Sequence, residues 1–219
     1  LGEYFEAMSG VLRRQPAATL DKFIGDSIMA FWGAPTPNAD HAVTACRAAL
    51  ACQEALQALH ETWKQKGKPL FHQRIGINSG EVIVGNMGSA SRLNYTVVGD
   101  TVNTASRLEG LNKLYGTRII IGESTRALVK DQFVARPLDF VSVKGSARGM
   151  RIYELMAEAG AADDRTLAIA QLAETALDLY LGRRWGEAAE CCRKILDLNH
   201  GDEPARRLME RCRDRKSVV

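Results

Sequence analysis

The chain has 219 residues, of which 46% are hydrophobic and 25% are charged, and it carries a formal net charge of +3. This composition is typical of a globular protein and excludes a disordered or collagen-like chain. Apolar runs stay far below the roughly 18 residues of a membrane span, so we expect no membrane contact within this segment. We also expect no nucleic-acid partner, because the cations of residues 206–216 are interspersed with Glu210 and Asp214, as on a solvated helix face.

Helices and strands alternate along the chain. Apolar residues spaced by three and four predict an opening helix that ends at Pro16. The further predicted elements, in order, are a hairpin over 21–32 around Gly25-Asp26, a helix over 38–66, a second hairpin that joins 74–78 to 81–84, a strand over 93–98, a helix over 101–114, a strand over 118–121, a helix over 124–130, and strands over 133–143 and 151–155. Because hairpins join several strand pairs, the pattern predicts an α+β fold with an antiparallel sheet.

The C-terminal part of the sequence has a different pattern. A short linker at residues 157–164 leads into two amphipathic stretches that are broken at residues 182–184. The string that starts at Trp185 resembles one tetratricopeptide unit, and a helical hairpin packed on its own domain is the alternative. We predict two domains, 1–156 and 163–219, of which the second is a small all-α appendage with a possible protein partner.

The cysteines and the first residue bear on the setting of the chain. Five cysteines, an odd number without metal-ligand spacing, lie mostly in predicted helices. We interpret them as small buried hydrophobic residues in a reducing, cytoplasmic environment. Because the sequence opens with Leu1 inside a helix, we expect it to belong to a longer chain, which could be anchored to a membrane upstream.

Two strings contain residue types suited to chemistry. In residues 20–33, a predicted hairpin turn exposes the carboxylate of Asp26 four residues after Lys22; a structural turn aspartate is the alternative. In residues 94–109, a strand meets a helix at Gly99, and Asn103 and Arg107 lie four apart near the start of that helix. An amide and a guanidinium there are suited to an anion, although both could be ordinary solvated residues.

These strings, together with Arg74-Ile-Gly-Ile-Asn-Ser-Gly and with Val143-Lys144-Gly145, resemble the class III nucleotidyl cyclase catalytic domain over about residues 1–155. The resemblance implies a ferredoxin-like α+β domain that forms a head-to-tail homodimer, with active sites built from both chains. It also implies a reaction in which the ribose 3′-OH of a nucleoside triphosphate attacks the α-phosphate and releases pyrophosphate.

The resemblance assigns a role to each matching residue. It implies Asp26 as a ligand of two Mg²⁺ ions, with Mn²⁺ also possible, and Arg74 and Lys144 as triphosphate contacts. It implies Lys22 and Thr96 as the pair that reads the purine. It also implies that Asn103 orients the ribose and that Arg107 stabilises the transition state. Asp26 and Arg74 would serve one site, and the others would come from the partner chain. The family's first metal aspartate precedes the opening helix, so this sequence does not contain it.

The identity of the purine follows from hydrogen-bond polarity. Lys22 can donate to adenine N1, and the Thr96 hydroxyl can accept from the N6 amine, whereas guanine suits a glutamate with a small residue. We therefore predict ATP as the substrate and an adenylate cyclase as the parent protein. A guanylate cyclase and a catalytically inactive nucleotide-binding or scaffold module are the alternatives.

Overall fold

The computed structural model describes residues 1–89, 91–142 and 149–214 of the chain. Its strands are β1 (Ala18–Ile24), β2 (Ser27–Trp32), β3 (Ile75–Ile77), β4 (Ile83–Ser89), β5 (Arg92–Val98), β6 (Ile119–Gly122), β7 (Phe133–Ser142) and β8 (Gly149–Glu158). Its α-helices are α1 (Gly2–Arg13), α2 (His41–Gln65), α3 (Asp100–Tyr115), α4 (Glu123–Val129), α5 (Asp164–Leu181), α6 (Trp185–Leu198) and α7 (Glu203–Arg213). The predicted α+β class with a helical C-terminal segment is confirmed.

The chain divides into two compact units. Unit 1 consists of Leu1–Gln73 and Ser79–Thr104, and unit 2 consists of Arg74–Asn78 together with the described residues from Ala105 onward. Helix α3 continues from the end of unit 1 into unit 2. The two units are described separately below.

Unit 1 combines two hairpins with two helices. Strands β1 and β2 form one antiparallel pair, and β4 and β5 form the other. Helix α1 buries Tyr4, Met8, Val11 and Leu12, which recur at helical spacing, and it packs on the alanine-rich helix α2. The predicted opening helix and the predicted first hairpin are confirmed.

The predicted second hairpin is wrong. Strand β3 pairs in parallel with β6 in unit 2, and β4 pairs instead with the following strand β5. Gly80, which suggested a hairpin turn, serves a close approach: a Cβ atom there would lie 2.7 Å from Thr101 Oγ1. A local turn signal cannot show which strand a segment pairs with, and that choice is made by long-range contacts.

Unit 2 is built on a four-stranded sheet in the order β3-β6-β8-β7. Only the β3–β6 pair is parallel among the described strand pairs of this sheet. Its core contains residues from α3 and from the strands: Leu108, Tyr115, Ile120, Leu138 and Ile152. Gly76 allows β3 to lie directly against α3, since a Cβ atom at that position would come within 2.2 Å of the Ala105 carbonyl oxygen.

The C-terminal segment of unit 2 consists of α5, α6 and α7, and α5 packs on β7. These helices share a buried core that includes Leu177, Cys192 and Leu208, and Met156 of β8 packs against it. The predicted break between the first two helices is confirmed. The expectation of a solvated face over 206–216 is wrong at Arg211, whose Nη1 lies 2.6 Å from Asp139 Oδ2 of β7. Residues 215–216 lie outside the described residues.

The prediction that the cysteines are mostly buried thiols agrees with the structure. All five cysteines are free thiols; Cys46, Cys52, Cys192 and Cys212 are buried, and Cys191 is half-buried. Burial raises the pKa of the Cys46 thiol to about 12, so this thiol stays protonated and behaves as a small apolar group. Among the described residues, no helix combines the length and apolar character that crossing a membrane requires.

Candidate active site

The turn between β1 and β2 holds Asp26 in an exposed position. Gly25 precedes it with a φ of +62°, a left-handed conformation that glycine adopts without a steric penalty. The residues on both sides of Asp26 are also exposed, so its carboxylate is accessible from solvent. Burial raises the pKa of the nearby Tyr4 hydroxyl to about 12, and the negative charge of Asp26 acts in the same direction.

Lys22 and Thr96 are brought together by the packing of unit 1. Lys22 lies on β1 and Thr96 on β5, and the two residues are separated by 74 positions in the sequence. Lys22 Nζ donates to Thr96 Oγ1 at 2.9 Å. The lysine side chain is 39% exposed, whereas Thr96 is buried. The pair therefore presents an ammonium donor at the surface with a hydroxyl directly behind it.

A third residue, Asp21, completes this cluster. The Thr96 hydroxyl donates to Asp21 Oδ2 at 2.5 Å, and Lys22 Nζ lies 3.4 Å from Asp21 Oδ1. The Asp21 side chain is 1% exposed. Sequence analysis did not identify this residue, because adjacent residues of a regular strand point to opposite faces.

Asn103 and Arg107 lie on α3. The helix begins directly after Gly99, which has a φ of +148°, and the Asn103 backbone N–H donates to the Gly99 carbonyl. Thr101 Oγ1 anchors the first turn by donating to the Glu81 carbonyl oxygen at 3.0 Å. Both Asn103 and Arg107 are exposed, which leaves an amide and a guanidinium accessible to a ligand.

Arg74 lies at the start of β3. Its Nε donates to Glu109 Oε1 of α3 at 2.9 Å, and both side chains are nearly half exposed. A guanidinium carries five N–H donors, so this contact leaves Arg74 capable of binding an anion as well. Lys144, the second predicted triphosphate contact, lies outside the described residues.

The structure thus brings together one predicted pair, Lys22 with Thr96, and positions Asp26 in the same β1–β2 hairpin. Arg74 belongs to unit 2 and contacts α3 there. Within the described ranges 1–89, 91–142 and 149–214, no group of three His, Cys, Asp or Glu side chains is arranged to hold a metal ion. Asp26 nevertheless fits Mg²⁺ as a single hard oxygen ligand, because this ion is commonly held by one or two carboxylates, water and substrate phosphates.

Comparisons with known proteins identify the family. Residues 1–157 match the "Adenylate and Guanylate cyclase catalytic domain" family. Adenylate cyclase 1 of Rhizobium meliloti is 43% identical over 156 residues, which cover 71% of this chain and 23% of that protein. The chain therefore belongs to the adenylate and guanylate cyclase catalytic domain family, and it spans about a quarter of the length of this relative.

Solved structures agree with this assignment. The crystal structure of the adenylyl cyclase CyaB from P. aeruginosa has a TM-score of 0.64 at 33% identity, over 71% of this chain and 79% of that one. The guanylyl cyclase Cya2 gives a TM-score of 0.65 at 32% identity, over 74% of this chain and 81% of that one. These comparisons support a cyclase domain followed by a small helical end; the predicted tetratricopeptide unit is not supported.

Proposed function

We propose that this chain carries the catalytic domain of an adenylate cyclase over residues 1–156, followed by a helical tail over 163–219. The reaction is the conversion of ATP to 3′,5′-cyclic AMP and pyrophosphate. The observation that carries the proposal is the direct contact of Lys22 with Thr96 at 2.9 Å within a domain of the cyclase family. The fold alone does not select a purine, since an adenylyl and a guanylyl cyclase match it equally well.

The polarity of this pair favours adenine. Adenine presents an acceptor at N1 beside a donor at the N6 amine. Lys22 supplies a donor, and Thr96 supplies an acceptor next to it. Guanine presents the reverse order, a donor at N1 beside the O6 acceptor, so it would leave buried polar groups mispaired.

The phosphate end of the substrate would be held by charged groups. Asp26 would be a ligand of two Mg²⁺ ions, with Mn²⁺ as the alternative, together with the triphosphate, and these cations, when bound, lower the pKa of the ribose 3′-OH and neutralise phosphate charge. Arg74 and Lys144 would contact the triphosphate oxygens.

Asn103 and Arg107 would act at the reacting centre. The amide of Asn103 would hold the ribose so that the 3′ oxygen approaches the α-phosphorus in line with the departing pyrophosphate. The Arg107 guanidinium would stabilise the negative charge that accumulates on the α-phosphate oxygens as the new P–O bond forms and the bond to pyrophosphate breaks.

The sites would be shared in a head-to-tail homodimer. One protomer would supply Asp26 and Arg74, and its partner would supply Lys22, Thr96, Asn103, Arg107 and Lys144. An Asp26→Asn chain and an Arg107→Ala chain, each inactive alone, should regain activity when mixed, because one heterodimer site then keeps all its groups. Heterodimers that form without regaining activity would contradict shared sites.

The tail would have no part in the chemistry, since the proposed active-site residues all precede it; we propose an assembly or regulatory role. A cytoplasmic location is proposed for the chain because its five cysteines are free. The match to a guanylyl cyclase makes guanylate cyclase the second candidate function. Turnover of ATP and of GTP by the full-length protein, with the cyclic product identified by mass, decides between them; cyclic GMP as the main product would contradict the proposal.

A further inference from the structure

Asp21 is a buried carboxylate to which the proposed reaction assigns no role. It precedes Lys22 on β1, and its side chain is 1% exposed. Burial of a carboxylate is unfavourable unless hydrogen bonds and an opposite charge compensate for the lost hydration. Both compensations come from the two residues proposed to read the purine: the Thr96 hydroxyl and the Lys22 ammonium.

A β-bulge allows two consecutive side chains to reach the same target. The β1–β2 register pairs Leu20 with Ala30 and then Lys22 with Met29, so Asp21 is the extra residue of β1. Regular alternation would direct Asp21 and Lys22 to opposite faces, and a bulge redirects a side chain at such a point. The bulge thus brings the Asp21 carboxylate and the Lys22 ammonium within reach of the same Thr96 hydroxyl.

The hydrogen bonds of this cluster determine what remains available to a ligand. A hydroxyl has one hydrogen and two acceptor positions. The hydrogen of Thr96 is directed to Asp21, and one acceptor position takes the hydrogen bond from Lys22, so one acceptor position remains. The Lys22 ammonium has three hydrogens, of which one points to Thr96 and a second faces Asp21. One donor remains beside one acceptor.

We propose that Asp21 is a positioning residue that determines purine selectivity by fixing the direction of the Thr96 hydroxyl. The inference rests on the proposed adenylate cyclase function. With its hydrogen held by Asp21, Thr96 can only accept from the base. The pair therefore offers a donor and an acceptor in the order that the N1 and N6 edge of adenine requires.

The same geometry explains how guanine would be rejected. A threonine hydroxyl that is free to rotate could donate to guanine O6 and so accommodate either base. Asp21 removes that freedom, because an ionised carboxylate accepts hydrogen bonds and cannot donate them. Guanine O6 would then face the unshared electrons of Thr96, and the pairing would leave two acceptors in contact.

The test is the substitution Asp21→Asn in the full-length protein. An asparagine amide can donate to Thr96 as well as accept from it, so the hydroxyl regains both orientations. We expect the ratio of kcat/KM for ATP to kcat/KM for GTP to fall by about tenfold or more, through a higher KM for ATP and a lower KM for GTP, while kcat with ATP changes by less than about threefold. Asp40→Asn, at an exposed aspartate of the same unit, is the matched control and should leave the ratio unchanged.

A chain with the substitution Thr96→Val distinguishes a positioning role of Asp21 from a structural one. In a Thr96→Val chain the hydroxyl is absent, so adding Asp21→Asn should change the nucleotide ratio by less than about twofold. A fall in both activities by the same factor, or an equal effect of Asp21→Asn with and without the hydroxyl, would overturn the proposal. Asp21→Ser, whose hydroxyl can also donate or accept, is the second variant if the asparagine does not fold. Failure of both to fold would make Asp21 structural and overturn the proposal.

The nucleotide preference of the unsubstituted protein distinguishes a failure of the proposed function from a failure of the role of Asp21. If it makes no cyclic AMP or prefers GTP, the proposed function fails and this inference fails with it. If it prefers ATP and folded Asp21→Asn keeps that preference, only the role of Asp21 is overturned. Competition of ATP and GTP for a fluorescent ATP analogue gives the same ratio as a binding measurement, independent of turnover.

Discussion

The β1–β2 hairpin leaves the charges of Asp26 and Lys22 open to solvent, whereas the β7–β8 pair buries the charge of Arg136. Asp26 is exposed in the hairpin turn, and the Lys22 side chain is 39% exposed. On β7, Arg136 is 6% exposed, and its guanidinium lies 2.7 Å from both Glu154 and Asp202. Apart from the buried Asp21, the charges of the hairpin are accessible to solvent, whereas the charge of Arg136 is enclosed within unit 2.

Buried and exposed charges contribute differently to the stability of the fold. A buried ion pair with good geometry is strongly disrupted when one partner is removed, because the other charge is left unpaired. Asp202 also accepts from the Ala205 backbone N–H at the start of α7, so the Arg136 cluster joins the sheet to the C-terminal helices. Exposed charges contribute little to stability and remain available to a substrate.

The largest effect is expected from Asp26→Asn. The amide keeps the size of the side chain and loses the charge that would hold Mg²⁺, so cyclisation of ATP should fall by about a hundredfold or more. The melting temperature should stay within about 2 °C, since the residue is exposed. Steady-state assays over a Mg²⁺ series, alongside thermal melts, measure both quantities. Activity close to that of the unsubstituted protein would remove Asp26 from the metal site.

Substitution of Arg136 should lower stability, whereas Asp26→Asn is expected to lower activity and leave stability unchanged. Arg136→Ala leaves Glu154 and Asp202 without their cation, and we expect the free energy of unfolding to fall by about 3 to 5 kcal/mol. Urea denaturation followed by circular dichroism measures this loss. Arg136→Met, which keeps the apolar stem, is the matched control for lost packing, and it should also destabilise because it leaves the same two carboxylates unpaired. A loss below about 1 kcal/mol would show that the buried cluster does not stabilise unit 2.

A substitution of the purine pair should change selectivity, and it should also lower stability, because the buried Asp21 carboxylate loses both groups that compensate it. Lys22→Glu combined with Thr96→Cys reverses the order of donor and acceptor, so the ratio of kcat/KM for ATP to that for GTP should fall by about tenfold or more. Parallel assays with the two nucleotides measure it, with each single variant as a control. An unchanged ratio in a folded double variant would mean that the purine is read elsewhere.

The smallest effect is expected at Arg211, which is intermediate between the two regions. Its side chain is 33% exposed; it pairs with Asp139 and lies over the Tyr180 ring at 4.7 Å from the centroid. Arg211→Ala should cost about 1 kcal/mol of unfolding free energy. Asp139 keeps its hydrogen bond from the Tyr115 hydroxyl, which limits the loss. Turnover of ATP should be unchanged, and a severalfold loss in a folded variant would connect the tail to catalysis.

The sequence by itself predicted most of the elements and the family. Periodicity located the helices, and the Gly25-Asp26 turn located the first hairpin, because each of these signals depends on residues close together in the chain. The family resemblance rested on strings in a fixed order and was confirmed by the match over residues 1–157. The catalytic roles of the matching residues stay predictions.

Only the tertiary structure decided which distant residues meet. The pairing of β3 with β6 and the contact of Lys22 with Thr96 join segments that are more than 40 and 70 residues apart. The bulge at Asp21 is equally invisible in the sequence, since strand alternation predicts that Asp21 and Lys22 face opposite ways. The same holds for Arg136, whose guanidinium is paired within the protein by Asp202, the N-cap residue of α7, 66 residues away. Local patterns specify elements, whereas the environment of a charge depends on which parts of the chain pack around it.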